Sequence, residues 1–296
     1  MTDQNTADTL QNAPKRKGFW GGVWLNYKRN RAAMVGGIGF LIITIVSVLG
    51  ITPYDPEHGD FDNVMASPTL KHIMGTDNIG RDIFSRIIVG GRVSLRVGVM
   101  AIAISATAGV IAGLVAGYYG GWIDSIIMRI LEVVLALPGL LLALLLVAYL
   151  GPSLTNAMLA ISIVFIPPYA RVVRANTLSL REMEYVTAAK AIGAKDRRVM
   201  FRAILPNTLS PIIVQVSLLL SVAILVEAAL SFLGLGVQPP TPAWGSMMAE
   251  SQQFIFRNNL PGLESLKTAV SGVMKYPIFT LLVCAVIHRT DAMTVG

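Results

Sequence analysis

The chain has 296 residues, of which 54% are hydrophobic and only 14% charged, against roughly 25% charged in an average soluble protein. With a mean hydropathy of +0.63 it lacks the polar surface that a water-soluble globule of this size requires, which places it among integral membrane proteins. The single cysteine, Cys284, excludes an internal disulfide, no Cys/His cluster offers a zinc or iron–sulfur site, and the net charge of +7 reads as basic loops beside apolar runs and not as nucleic-acid binding.

Residues 1–18 are polar, and the stretch 1–31 carries Lys15, Arg16, Lys17, Lys28, Arg29 and Arg31, the pattern of a cytoplasmic tail entering a first span. A membrane helix needs about 20 apolar residues, and the uncharged stretch Ala32–Tyr54 supplies them, with the helix set at 32–52. A cleaved signal peptide would have a shorter apolar core, and Val48-Leu49-Gly50 is a poor cleavage site. Residues 53–92 form an extracytoplasmic loop. Val97–Ile123 is the next span, Val133–Ala170 is long enough for two spans parted at Gly151-Pro152-Ser153, and Ala203–Val226 is the fifth. After Arg257 only Tyr276–His288 is apolar, so a sixth span at 276–288 is doubtful. Lipid tolerates spanning backbone only as helices or closed barrels, and the alternation of barrel strands is missing. The expected fold class is therefore all-α, a polytopic membrane helix bundle.

Orientation follows from the basic residues. Segment 171–202 carries eight Lys and Arg and, four spans after the basic tail, returns to the tail's side, so both are expected in the cytoplasm. The outer loop then holds Lys71, Arg81, Arg86, Arg92 and Arg96, a conflict eased by the length of the loop and by Asp77 and Asp82 near Arg81 and Arg86. Within the second span Ala101, Ser105, Gly109, Gly113 and Gly117 recur every four residues, a stripe of small side chains expected to admit another helix closely. Glu132 and Glu227 flank or interrupt apolar runs. They read as ion or proton sites, or as residues at span ends within reach of water, where Arg129 can pair Glu132; the second reading is favoured.

Segment 171–206 has the grammar of helix, turn, helix. Glu184–Ile192 favours a helix, Gly193 can take the left-handed cap, Asp196 can cap a second helix and Pro206 is expected to end it. The small Ala188 and Ala189 leave room for another protein's surface, although a basic loop lying on anionic headgroups would have the same composition.

Thr187-Ala188-Ala189, three residues, Gly193 and then Leu205-Pro206 resemble the EAA-x3-G-x9-I-x-LP loop of type I ABC importer permeases. Thr187 stands where that motif has Glu, and Ala203 where it has Ile, with Ile204 next to it. Gly75-Thr76-Asp77, then Gly80-Arg81-Asp82, then Ser85-Arg86 resemble the signature ahead of the second span in the dipeptide, oligopeptide, nickel and glutathione importers. Pro53-Tyr54-Asp55-Pro56, Ala136-Leu137-Pro138 and the stretch from Glu227 to Gly245 resemble the same family. The chain is thus similar to the C-type permease subunits of peptide-class ABC importers, with 93–263 as the core and a coupling loop over 171–206. After Leu263 it departs from the family ending, which leaves either an altered reading frame near codon 263 or a divergent tail over 264–296.

The resemblance implies a transport subunit of the bacterial inner membrane and not an enzyme. It implies a homologous second permease chain, two ATP-binding cassette subunits that use ATP and magnesium, an extracytoplasmic peptide-binding protein and no cofactor in this chain, which has no G-x4-GK[ST] loop. It implies that Glu184, Tyr185, Thr187, Ala188, Ala189 and Gly193, with Leu205 and Pro206, form the ATPase-coupling loop, and it makes short peptides the expected cargo. An ion-coupled transporter using Glu132 and Glu227, or a non-transporting membrane scaffold, are the alternatives.

Overall fold

The computed structural model describes residues 31–255; the tail before Arg31 and everything after Ile255, including the possible span 276–288, lie outside the described residues. The helices are α1 (Arg31–Leu49), α2 (Ile83–Tyr119), α3 (Gly121–Leu135), α4 (Gly139–Leu150), α5 (Leu154–Leu180), α6 (Glu184–Ala191), α7 (Asp196–Arg198), α8 (Leu209–Phe232) and α9 (Trp244–Ile255). A π-helical segment, Val199–Ile204, and a 3-10 turn, Leu205–Thr208, join α7 to α8. Among the described residues there is no strand, only a single bridge between Thr76 and Asp82.

Local chemistry sets the ends of these helices. Asp82 caps α2, its Oδ2 accepting from the Ser85 amide at 2.9 Å and from the Ser85 hydroxyl at 2.7 Å. Ser153 caps α5 by accepting from the amide of Asn156 at 3.1 Å. Gly120, at φ +66°, closes α2 in a backbone region that side-chain-bearing residues avoid.

The α2–α5 pair is the spine of the bundle, and the small-residue stripe lies in its contact. A Cβ at Gly109 would stand 2.6 Å from the Ile166 carbonyl oxygen, one at Gly113 2.4 Å from that of Ala170, and one at Gly117 2.7 Å from the Cβ of Thr177. The backbones touch because these positions have no side chain, the close approach by which membrane helices gain dispersion contacts. Ala101 and Ser105, farther up the same stripe, are also buried. Val97, Ile102, Val147, Ile161, Phe165 and Leu230 form the main apolar core between α2, α4, α5 and α8. Gly113→Ala is expected to cost about 1–3 kcal/mol through overpacking, read as a lowered unfolding midpoint in detergent.

Among the described residues three helical stretches, Ile83–Tyr119, Leu154–Leu180 and Asp196–Phe232, are long and apolar enough to cross a membrane, and a fourth arises if α3 and α4 count as one. Two features of the spans differ from the sequence expectation. The run Val133–Leu150 is not one straight helix, because α3 and α4 meet at an 85° bend. Pro138 explains it, since proline offers no amide hydrogen and turns the residue before it away from the helical region. Finally, α2 begins at Ile83, fourteen residues before Val97, because Arg86 is buried in an ion cluster at its first turns.

Candidate functional site

Two clusters stand at opposite ends of α2, which at about 1.5 Å per residue is roughly 55 Å long. At its start the chain from Gly75 to Arg86 folds into a buried knot. Thr76 Oγ1 accepts from the amide of Ala66 at 2.8 Å and donates to the carbonyl of Asn63. Gly80 takes φ +80°, and a Cβ there would lie 1.9 Å from the Asp60 carbonyl oxygen, so no other residue fits. Gly75 also has positive φ.

Asp77 is the centre of the knot. Its Oδ1 accepts from the amides of Ile79 at 3.0 Å and Arg81 at 2.9 Å, and its Oδ2 takes Arg81 Nε at 2.7 Å together with Arg86 Nη1. Both guanidinium groups then reach Glu250 on α9: Arg86 forks across its carboxylate at 2.9 and 3.2 Å, and Arg81 Nη2 lies 3.2 Å away. Two cations and two carboxylates balance within the cluster. Asp82, expected near the arginines, instead caps α2 and pairs with buried His72, whose Nδ1 is 3.0 Å from Asp82 Oδ1. Trp244 fixes α9 from the other side, its indole N–H donating to the Ile87 carbonyl at 3.0 Å while its ring lies against Gly90 and Gly91.

At the far end, α6 stands out from the bundle. Val186 is fully buried against Leu114, Val173, Val199 and Ile204, whereas Glu184, Tyr185, Thr187 and Ala188 are exposed and Ala189 is half-buried. Gly193 takes φ +80°, and the amide of Ala194 donates to the carbonyl of Ala189 at 3.0 Å, the helix-ending arrangement anticipated for this glycine. Among the described residues, its own chain neighbours aside, no atom lies within 4 Å of a Cβ placed at Gly193, so conformation, and not space, requires glycine there. Ile192 beside it is 85% exposed, leaving an apolar tip without a packing partner among the described residues.

Two details of the loop differ from expectation. Asp196 does not cap α7, since Lys195 holds that position without a side-chain bond; the Asp196 carboxylate instead accepts from the Tyr118 hydroxyl at 2.7 Å. Pro206 does not end the helix. It sits in the first turn of the 3-10 segment after the widened π turns, where a missing amide hydrogen costs little. Leu205 is half-buried and Pro206 exposed.

Glu227 overturns the reading of residues at water-accessible span ends: it is 1% exposed, inside α8, with Oε1 accepting from the Ser231 hydroxyl at 2.7 Å. Glu132 is exposed on α3, and among the described residues no ion pair joins it to Arg129. Sequence reasoning missed Glu250 and His72, whose roles arise from a contact between distant segments. Among the described residues no group of three or more His, Cys, Asp or Glu could hold a metal ion.

Comparison with known proteins identifies the family. Residues 109–289 match the family model of the binding-protein-dependent transport system inner membrane component, and residues 18–68 match the N-terminal TM domain of oligopeptide transport permease C. The chain belongs to the inner-membrane permeases of binding-protein-dependent ABC importers, in the oligopeptide and dipeptide branch. It is 44% identical over 236 residues to the glutathione transport system permease protein GsiD of Shigella dysenteriae serotype 1 (strain Sd197), covering 79% of this chain and 78% of that protein. The GsiD protein of Escherichia coli O157:H7 matches to the same extent. A chain of the MetNI methionine ABC transporter in an inward-facing conformation superposes with a TM-score of 0.51 at 15% identity, over 69% of this chain and 96% of that one, a likeness of fold. The match to the inner-membrane family passes Leu263 and runs to residue 289, so most of the divergent tail falls within it. The chain is accordingly a multi-pass inner-membrane transport subunit without catalytic activity of its own, working with other importer subunits.

Proposed function

We propose that this chain pairs with a homologous second permease to form the transport path, that one of two ATPase subunits docks on α6 and the Gly193 turn, and that an extracytoplasmic binding protein delivers short peptides or peptide-like compounds such as glutathione. The observation that carries this reading is α6 itself, an eight-residue helix anchored by Val186 and presenting Tyr185, Ala188 and Ile192 outward at the end of a basic segment. Small and apolar exposed residues beside a rigid glycine turn suit a groove on a soluble partner. The eight Lys and Arg of 171–202 put this end in the cytoplasm by the positive-inside rule, and with it the amino terminus. ATP and magnesium act on the partner subunits, whose closure rocks the packed helices between inward- and outward-facing arrangements. The glutathione cargo belongs to the GsiD relatives by name; for this chain it supports a peptide-like substrate class.

Uptake of labelled glutathione and of tri-alanine into vesicles holding the assembled importer and its binding protein tests the cargo. ATP-dependent accumulation of either supports the class, and accumulation of neither, with nickel taken up instead, contradicts it. The double substitution Glu132→Gln and Glu227→Gln is expected to leave ATP-driven uptake within about threefold of the unsubstituted importer, since both replacements keep shape and hydrogen bonding. An ion-coupled transporter relying on these carboxylates would lose uptake altogether.

A further inference from the structure

We infer that Tyr118 is the joint through which movement of the coupling loop reaches the outer end of the bundle, a positioning residue for the transport cycle. The inference rests on the reading that α6 receives an ATPase subunit. Tyr118 is the penultimate residue of α2, is 8% exposed, and is gripped from both sides of the Gly193 turn. Before the turn, Lys190 Nζ stands 4.8 Å from its ring centroid; after it, Asp196 Oδ1 accepts from its hydroxyl at 2.7 Å. Among the described residues these are the polar ties that cross from α6 and α7 to α2; the remaining contact is the apolar cluster around Val186. One residue earlier, the Gly117 carbonyl accepts from Arg181 Nη1 at 3.0 Å, so the last turn of α2 is held from α5 as well.

Two features make this a transmission point and not simply a packed corner. The segment after α7 is π-helical from Val199 to Ile204, a widened geometry that marks places where helices shift register and that recurs at functional sites. From Tyr118, α2 then runs without a break to Arg86 and Asp82, where Arg86 holds Glu250 of α9. A helix is stiff along its axis, so a displacement applied at Tyr118 arrives at the Arg86–Glu250 contact, whereas apolar contacts at α6 can slide. A phenol serves both ties at once: its face attracts the ammonium and its hydroxyl the carboxylate.

Two pairs of spin labels in the assembled importer, in a Cys284→Ser background, test this. One pair, at Ile192 and Trp122, reports the coupling loop; the other, at Val99 on α2 and Leu145 on α4, reports the bundle, all four positions being exposed. Trapping with ATP and vanadate is expected to shift both distances in the otherwise unsubstituted chain. In Tyr118→Phe and in Asp196→Ala, each of which removes the hydroxyl–carboxylate bond, the loop shift persists, while the bundle shift falls about five- to tenfold in population, the lower end of what a coupling free energy between sites carries. The two together do no more than either alone. A normal bundle shift in both variants overturns the joint, as does loss of both shifts together, which would mark a docking defect. Absence of any shift in the unsubstituted importer would instead defeat the ATPase reading itself, and the joint with it.

Discussion

Arg86→Ala is expected to remove most of the folded chain from the membrane fraction. Arg86 is 2% exposed and forms the bidentate half of the ion cluster, sharing Asp77 with Arg81 and forking onto Glu250. Deleting it leaves two carboxylates against one guanidinium in a buried setting, and removing one partner of a buried charge network costs about 3–5 kcal/mol, a large fraction of the stability of a typical domain. Arg86→Lys is expected to recover only part, because an ammonium is a point charge and cannot fork across the Glu250 carboxylate. Glu250→Gln is expected to be mild, since its side chain is 33% exposed and water offsets much of what is lost. Fluorescence-detected size-exclusion with a temperature ramp reads all three: a midpoint order in which Arg86→Ala is not the lowest would show that the knot is not held by these charges.

Gly193→Val is expected to leave the importer assembled yet cut uptake by more than tenfold while ATP hydrolysis continues. At φ +80° a β-branched residue is strained by about 1–3 kcal/mol, although nothing stands in the way of its side chain. The strain is relieved by unwinding the end of α6, which displaces Ile192 and withdraws the Ala194 amide from the Ala189 carbonyl. Gly193→Asn is the control, because asparagine tolerates this backbone region; it is expected to retain more than half of the uptake. Parallel assays of phosphate release and uptake in the same vesicles separate the two. Equal losses in both variants would point to a direct contact of the glycine with a partner, and not to the turn.

The parts of the molecule legible in the sequence are those that local rules govern. Gly193 and the helical character of Glu184–Ala191 follow from propensity and capping, and the every-fourth spacing of Gly109, Gly113 and Gly117 points to a close helix contact before any fold is known. What the sequence hid depends on contacts between distant segments. Ile83–Arg96 carries three arginines and looks like a loop on hydropathy alone; it is the start of α2 because Asp77 and Glu250 neutralise Arg86. Asp196 has the composition of a helix cap, but Tyr118, 78 residues earlier, takes its carboxylate. Glu227, which water-seeking arguments place at a span end, is buried where Ser231 one turn on satisfies one of its oxygens. The bend at Pro138 was present as a residue but not as an 85° angle, since a proline fixes where a helix breaks and not which way the next one turns.

The most direct test of the account is photocrosslinking from Ile192→Cys, labelled with a benzophenone maleimide in a Cys284→Ser background and in the assembled importer. Ile192 is exposed at the tip of the α6 turn, and Leu70→Cys, exposed at the opposite end of α2, serves as the comparison. The account predicts a crosslink from position 192 to an ATPase subunit, changing in yield with ATP and vanadate, and none to that subunit from position 70. An ATPase crosslink from position 70 with none from 192 would contradict it, because energy would then enter the permease at the wrong end.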